Sequence, residues 1–279
     1  GPDVQMVYQQ EDTQPLDEPI IPVVTRKTVQ LSERTGIPET LYDLDYMLNL
    51  FGMTDRIRNV AIIGALHSGK SSLIDMFVSY SHTLKNPSQY TDCLHLERKR
   101  KITLKSKSIS FVLPNSNGKS HAATFVDTPG HTSFSDEVWA ALPLVDGIVL
   151  LIDPVEGLTW HTEQLLREML GRKMKIVLVL NKLDRLFLEL KLPPNDAYLL
   201  LKHTVDSINM SMKTMGFDMR FEPENNNVIF GCFKHEWAFT CQSFGSFYPD
   251  EFSDSYKRLW SKSLDVKNAK SNPFVQYVL

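Results

Sequence analysis

The sequence predicts an α/β fold: a mostly parallel sheet with one antiparallel edge strand, helices on both faces, and an extended N-terminal segment ahead of it. Three observations predict this. From Asn59 onward, short apolar runs alternate with helix-like stretches. The runs are rich in β-branched residues and Leu, the mark of strands buried on both faces of a parallel sheet. One stretch, 102–112 (ITLKSKSISFV), instead alternates apolar and polar residues, as an edge strand with one wet face does.

The elements follow in order. Residues 1–55 carry Glu11, Asp12, Asp17 and Glu18 among Pro15, Pro19 and Pro22. Proline fixes φ and disfavours helix in the residue before it, so this segment is expected to be extended, lying along a partner or along its own domain, or else a disordered tail. Gly1-Pro2 reads as a scar of tag removal, and a chain without an initiator Met reads as a piece of a larger protein. A short helix is expected over 38–50, with Leu41, Leu44, Met47 and Leu48 on one face. The buried strands are Val60-Ala61-Ile62-Ile63, Thr124-Phe125-Val126, Ile148-Val149-Leu150-Leu151-Ile152 and Ile176-Val177-Leu178-Val179-Leu180, with a further one at Asn227-Val228-Ile229-Phe230. Helices are expected over 71–80, 133–144, 159–170 and, opened by Pro193-Pro194, 195–212. The main domain thus spans 56–241, and 242–279, with a helix at 256–260, forms a separate small unit.

Composition excludes several classes. Of 279 residues, 42% are hydrophobic and 23% charged, which excludes collagen-like and wholly disordered chains. With 30 Lys+Arg against 33 Asp+Glu, the net charge of −3 gives no global basic field for nucleic acid. The three cysteines form no CxxC pair, so neither a disulfide framework nor a zinc site is expected, and a reducing compartment is. No apolar run approaches the roughly 20 residues of a membrane span.

Three motifs carry chemistry. Gly64-Ala65-Leu66-His67-Ser68-Gly69-Lys70-Ser71, followed by Ser72, matches GxxxxGK[ST] between a predicted strand and a predicted helix. Such a loop wraps phosphates with backbone N–H groups; Lys70 adds a point charge and Ser71 a hydroxyl for Mg²⁺. Asp127-Thr128-Pro129-Gly130-His131 ends the next buried strand. There Asp127 can hold a Mg²⁺-bound water, and Gly130 lets its backbone N–H approach a γ-phosphate. Asn181-Lys182-Leu183-Asp184 follows a third strand. The Asp184 carboxylate can accept from guanine N1–H and N2–H₂, an arrangement adenine does not offer; Asn181 can tie this loop to the first, and the Lys182 stem can cover the base. Gly231-Cys232-Phe233 falls where a last base-contacting loop would lie. Between the first helix and the edge strand a hydroxyl should reach Mg²⁺: Thr103 is the best candidate and Thr91 the runner-up. The charge run Glu97-Arg98-Lys99-Arg100-Lys101 reads as a solvated loop more readily than as an RNA contact.

With these motifs in hand the chain resembles translational GTPases of the elongation factor 2 type, through Thr91-Asp92, Arg100 with Ile102-Thr103 and Lys105-Ser106, DTPGH, and Gly231 with Trp237-Ala238-Phe239-Thr240. More narrowly it resembles the spliceosomal GTPases of the U5 small nuclear ribonucleoprotein, through 11–16 (EDTQPL) with 18–21, Leu66-His67 in the first loop, and 188–198 (LELKLPPNDAY). The resemblance implies a P-loop GTPase fold, GTP/GDP and Mg²⁺ as ligands, and a nuclear switch domain that hydrolyses GTP slowly during spliceosome activation and remodelling. It implies that Lys70, Ser71, Asp127, Asn181 and Asp184 bind nucleotide and metal, that Thr103 is the switch I threonine, and that His131 positions the attacking water. It implies as partners the large scaffold pre-mRNA-processing-splicing factor 8, the U5 RNA and its helicase. Residues 242–279 resemble a truncated form of the subdomain inserted in elongation factors. Two departures stand out: His67 replaces an acid of the translation factors, and Lys99 and Lys101 replace an acidic and a small residue. The alternatives are a module holding GTP as a structural ligand and a ribosomal translocase.

Overall fold

The structure is a computed structural model, and it describes residues 40–82, 89–115, 117–247, 259–260 and 273–279. The extended reading of residues 3–39 therefore lies outside the described residues. So does most of the helix expected over 256–260, of which Leu259 and Trp260 are described, in a turn.

Five strands, β1 (Ile57–Gly64), β3 (Ser120–Asp127), β4 (Gly147–Ile152), β5 (Lys175–Leu180) and β6 (Val228–Cys232), run parallel. The antiparallel edge strand is β2 (Lys107–Pro114), and with the short strand β7 (Trp237–Phe239) the sheet order is β2-β3-β1-β4-β5-β6-β7. Three residues long, β7 adds a second antiparallel edge.

Alternation along the strands divides the core into two layers. Ala61, Ile63, Leu150, Ile152, Leu178, Leu180 and Phe230 face one side. There they meet α5 (Trp160–Gly171) through Leu165, Leu166 and Met169, and α7 (Pro194–Thr214) through Tyr198, Leu201, Val205, Ile208 and Met212. The spacing of that last set is a helical stripe. Ile62, Leu151, Val179, Phe111 and Phe125 face the other side and meet α2 (Lys70–Ser81) through Leu73, Ile74 and Val78. Helices thus cover both faces, as the unbroken apolar strands require.

Two local expectations need correction. Helix α1 spans Leu44–Phe51, capped by the Asp43 carboxylate accepting from Asp45 N–H. Leu41, Leu44 and Leu48 are exposed, and the helix seats Leu50 instead. Leu41 is held outside the helix, its N–H donating to Ser81 O. The edge strand begins at Lys107 rather than 102. The Leu104 and Lys105 N–H groups donate to the Glu97 carboxylate and that of Ser106 to Glu137, so these donors leave the ladder.

The charge run around Glu97 is likewise not a solvated loop. It forms a short helix, α3 (His95–Arg100), and Glu97 is wholly buried. Its carboxylate accepts from the Leu94, Leu104 and Lys105 N–H groups and pairs with Lys107. Burial alone would push the Glu97 carboxyl up; Lys107 and the backbone donors outweigh it and hold it below its usual range. Glu97→Ala would leave the half-buried Lys107 without its carboxylate and three N–H groups without an acceptor, a loss of about 1–3 kcal/mol. Urea unfolding should show this as a lower midpoint at constant m, with Glu97→Gln, which keeps an acceptor oxygen, losing less.

Candidate functional site

Because the central strands are parallel, the loops after β1, β3, β4, β5 and β6 leave the same edge of the sheet. Strand β1 lies between β3 and β4, where the winding direction reverses, and open α/β sheets place their crevice at such a point.

The loop after β1 folds around Lys70. The side chain is 6% exposed, and its Nζ donates to Ala65 O at 2.7 Å and to Gly64 O at 3.1 Å. His67 and Gly69 have positive φ, 58° and 100°, which turn the chain back toward the N-terminus of α2. Gly69 is required twice, for its φ and because a Cβ there would lie 2.1 Å from Asn181 Nδ2. Gly130 is required because a Cβ would lie 2.3 Å from Lys70 Nζ. Asn181, after β5, is buried; its Nδ2 donates to Ser68 O (2.8 Å) and its Oδ1 accepts from Phe233 N–H (3.1 Å). One side chain thereby joins the loops after β1, β5 and β6.

These loops line two adjoining cavities that share Gly69, Ser72 and Lys182. The first, about 190 Å³, is bounded by Leu66, His67, Lys70, Ser71, Thr103 and Gly130, with Asp92 beside them. The second, about 440 Å³, is bounded by Asn181, Asp184, Arg185 and Lys234. Lys182 has a positive φ of 62° and its Nζ stands 3.3 Å from the buried Asp153, which also pairs with Arg185. Asp184 Oδ1 accepts from the Cys232 thiol at 3.1 Å. Leu183 N–H donates to Gly231 O, and Phe233 is buried in the second core layer. His131 lines neither cavity. Its Nδ1 accepts from Ser133 N–H, capping a 3-10 turn.

Carboxylates and hydroxyls gather beside this loop. Asp127 is fully buried; Oδ2 accepts from the Thr91 hydroxyl (2.6 Å), while Oδ1 has no hydrogen-bond partner among the described residues. Ser71 Oγ is 3.4 Å from Thr103 Oγ1, which donates to Asp92 Oδ1 at 3.0 Å. Two hydroxyls and two carboxylates with an orphaned oxygen make an all-oxygen donor set, which suits a hard cation such as Mg²⁺. Sequence reading passed over Asp92, Asp153 and the role of Glu97, and also His161. The His161 Nε2 is buried without a partner among the described residues. Burial first, then the nearby charges of Lys70 and His131, depress its pKa.

Burial also opposes both charges at the loop. It pushes Asp127 up to about 6, against the Thr91 hydrogen bond and Lys70. It pulls Lys70 down to about 8, against the attraction of Asp127. The sign for stability follows. Between its ordinary value of 3.8 and about 6, the folded Asp127 keeps a proton that the unfolded chain has lost, so stability falls as pH rises through that window. Between about 8 and 10.5 the folded Lys70 has lost a proton that the unfolded chain keeps, so stability rises with pH there. From pH 4 to pH 6.5 the unfolding free energy of the nucleotide-free chain should therefore fall relative to that of Asp127→Asn, by about 2–3 kcal/mol.

Known proteins agree with this architecture. The family model described as "Elongation factor Tu GTP binding domain" matches residues 55–265. The chain is 38% identical over 271 residues to the pre-mRNA-splicing factor cwf10 of Schizosaccharomyces pombe, covering 95% of this chain and 27% of that protein. It is 36% identical over 299 residues to the pre-mRNA-splicing factor SNU114 of Saccharomyces cerevisiae, covering 98% of this chain and 29% of that protein. It is 36% identical over 310 residues to the 110 kDa U5 small nuclear ribonucleoprotein component CLO of Arabidopsis thaliana, covering all of this chain and 31% of that protein. The chain thus spans less than a third of the length of these relatives. With a matched region that takes in the whole seven-stranded sheet and every loop described above, the chain belongs to the elongation factor Tu GTP-binding domain family.

Proposed function

We propose that this chain binds GTP and GDP with Mg²⁺ and hydrolyses GTP slowly, as the switch domain of a nuclear U5 small nuclear ribonucleoprotein GTPase in pre-mRNA splicing. The observation that carries the reading is the convergence of the 64–71, 127–131 and 181–184 loops on two contiguous cavities. The relatives named as splicing factors and a U5 component supply the setting. In this reading the 190 Å³ cavity takes the phosphates and the 440 Å³ cavity the guanosine. The scaffold pre-mRNA-processing-splicing factor 8, the U5 RNA and its helicase are the proposed partners, engaged in spliceosome activation and remodelling. Residues 1–55 and 242–279 are proposed as an extension and a truncated subdomain flanking the GTP-binding unit at 56–241.

Each residue has a stated task. Lys70, already desolvated, meets the β and γ phosphates and exchanges the Gly64 and Ala65 carbonyls for phosphate oxygens. Gly130 leaves room for the γ-phosphate beside Lys70. Ser71, Thr103 and Asp127, with Asp92, would hold Mg²⁺, which when bound supplies positive charge that offsets the charge on the phosphates. His131 orients the attacking water: with Nδ1 accepting from Ser133, the neutral ring carries its proton on Nε2. Asp184 accepts the guanine edge, exchanging the Cys232 thiol for stronger amide-type donors, while the Lys182 stem covers the base. Gly231, Cys232 and Phe233 close the base side. Among the described residues no arginine lines the 190 Å³ cavity, so the expected turnover is on the order of 10⁻⁴–10⁻² s⁻¹.

A second reading, GTP held as a structural ligand, is favoured by one observation: His131 lies outside both cavities. Single-turnover hydrolysis separates the two. For a switch enzyme, His131→Ala lowers the rate about 100-fold or more with GTP affinity unchanged; for a structural ligand, wild type and variant are equally inert. Base assignment has its own test. Asp184→Asn gains a donor that matches the position-2 carbonyl of xanthine. Competition binding should show preference passing from GTP to XTP by at least about tenfold; retained GTP preference overturns the assignment of the 440 Å³ cavity to the base.

A further inference from the structure

The base side of the site holds a second chemistry. Asp184 begins the short helix α6 (Asp184–Leu188), and Cys232 and His235 come from the end of β6 and the turn after it. One carboxylate oxygen, the Cys232 Sγ and one His235 ring nitrogen all lie within 4.8 Å of one another. Cys232 Sγ is 3.1 Å from Asp184 Oδ1, and His235 Nε2 is 3.8 Å from Asp184 Oδ2. A tetrahedral zinc ion with S, O and N bonds of about 2.0–2.3 Å sets its ligand atoms about 3.4–3.5 Å apart. The two observed separations, each to a different Asp184 oxygen, lie on either side of that value. Cys232 is fully buried and His235 exposed, so a metal held by the three donors would meet the protein interior on the Cys232 side and solvent on the His235 side, while Asp184 also lines the 440 Å³ cavity.

We propose that Asp184, Cys232 and His235 form a three-donor site for a thiophilic divalent metal such as Zn²⁺, and that this metal and the guanine base exclude each other. The second half rests on the assignment of Asp184 as the base acceptor. The donor set is chemically distinct from the all-oxygen set around Asp127: thiolate and imidazole select a zinc-like ion, whereas hydroxyls and carboxylates select Mg²⁺. Binding converts Cys232–SH to a metal-bound thiolate and releases the proton, now donated to Asp184, to solvent. Both Asp184 oxygens cannot serve the metal and the base together. A zinc-like ion would therefore act as a competitive inhibitor of nucleotide uptake at the base end, while Mg²⁺ supports binding at the phosphate end.

The test uses the full 279-residue chain freed of nucleotide, with Co²⁺ as the spectroscopic probe and Zn²⁺ as its competitor. The expected result is a thiolate-to-cobalt charge-transfer absorption that saturates at one metal per chain and is displaced by Zn²⁺. Cys232→Ser abolishes it, and the exposed-site variant His235→Ala weakens Zn²⁺ at least about tenfold. Saturating GTP with Mg²⁺ prevents it. Absorption that persists unchanged in Cys232→Ser, and so arises at Cys93 or Cys241, overturns the site; so does Zn²⁺ affinity unaltered by His235→Ala. If the signal needs Cys232 and His235 but survives GTP that is itself measured as bound, the metal site stands and the assignment of Asp184 to the base falls. If GTP binds normally and no variant-sensitive signal develops, the metal site falls and the base assignment stands.

Discussion

The site depends first on one amide. Asn181 donates to Ser68 O and accepts from Phe233 N–H, so a buried side chain at the end of β5 sets the distance between the loops after β1 and β6. The amide suits this task because it carries a donor and an acceptor on one rigid plane. An aspartate would lack the donor, and a leucine would leave a buried carbonyl and a buried N–H unpaired at about 1–3 kcal/mol each. The demand passes to the neighbours: Asn181 sits so close that position 69 admits no Cβ. The left-handed turn at Gly69 in turn brings Lys70 to the start of α2, facing the 64–65 carbonyls.

Around that frame lies an electrostatic imbalance. Lys70 and Asp127 are both buried, and burial moves each toward its neutral form. Their mutual attraction offsets only part of this. Asp127 still has an oxygen without a partner among the described residues, and Ser68 Oγ is likewise buried and unpaired. Unsatisfied buried polar atoms are uncommon, and each carries a cost that a ligand can remove. In the proposed function, a phosphate chain with a cation would supply negative charge at Lys70 and positive charge at Asp127, and the unpaired atoms would then act as dipoles held in place ahead of the ligand.

Much of this was legible in the residues. The five buried strands were readable because a strand covered on both faces needs no polar alternation, and each apolar run lies within an observed strand or overlaps it closely. The three loops were readable because glycines and a lysine at fixed spacing have few structural uses at a strand end. Three things were not. Leu44 and Leu48 have helical spacing but face outward, since periodicity shows that a face is apolar without showing what covers it. The short β7 strand has too few residues to show a period. The grouping of Asp184, Cys232 and His235 joins a Cys-x-x-His pair to a carboxylate 48 positions before it, and one such pair with no second pair announces little in a sequence.

Glu97 shows most clearly why sequence pattern misjudged the segment before β2. A run of Glu, Arg, Lys, Arg and Lys has the composition of a solvated surface, yet its first residue is the most deeply buried carboxylate of the segment. The reason is geometric. A loop that must leave α3 and enter an edge strand turns several N–H groups inward, where no strand can accept them. One carboxylate that takes two of them, together with the Leu94 N–H at the start of α3 and with Lys107 balancing its charge, solves that problem at a single position. The same loop carries Asp92, Lys101 and Thr103 to the wall of the 190 Å³ cavity. The Glu97 hub thus fixes where the Thr103 hydroxyl stands relative to Ser71, although Glu97 does not line the cavity itself. Any movement that draws Thr103 away from Ser71 must either break the Glu97 hydrogen bonds or carry the hub as a body. The hub, set by residues that do not line the 190 Å³ cavity, therefore bears on how firmly Thr103 is held at this wall.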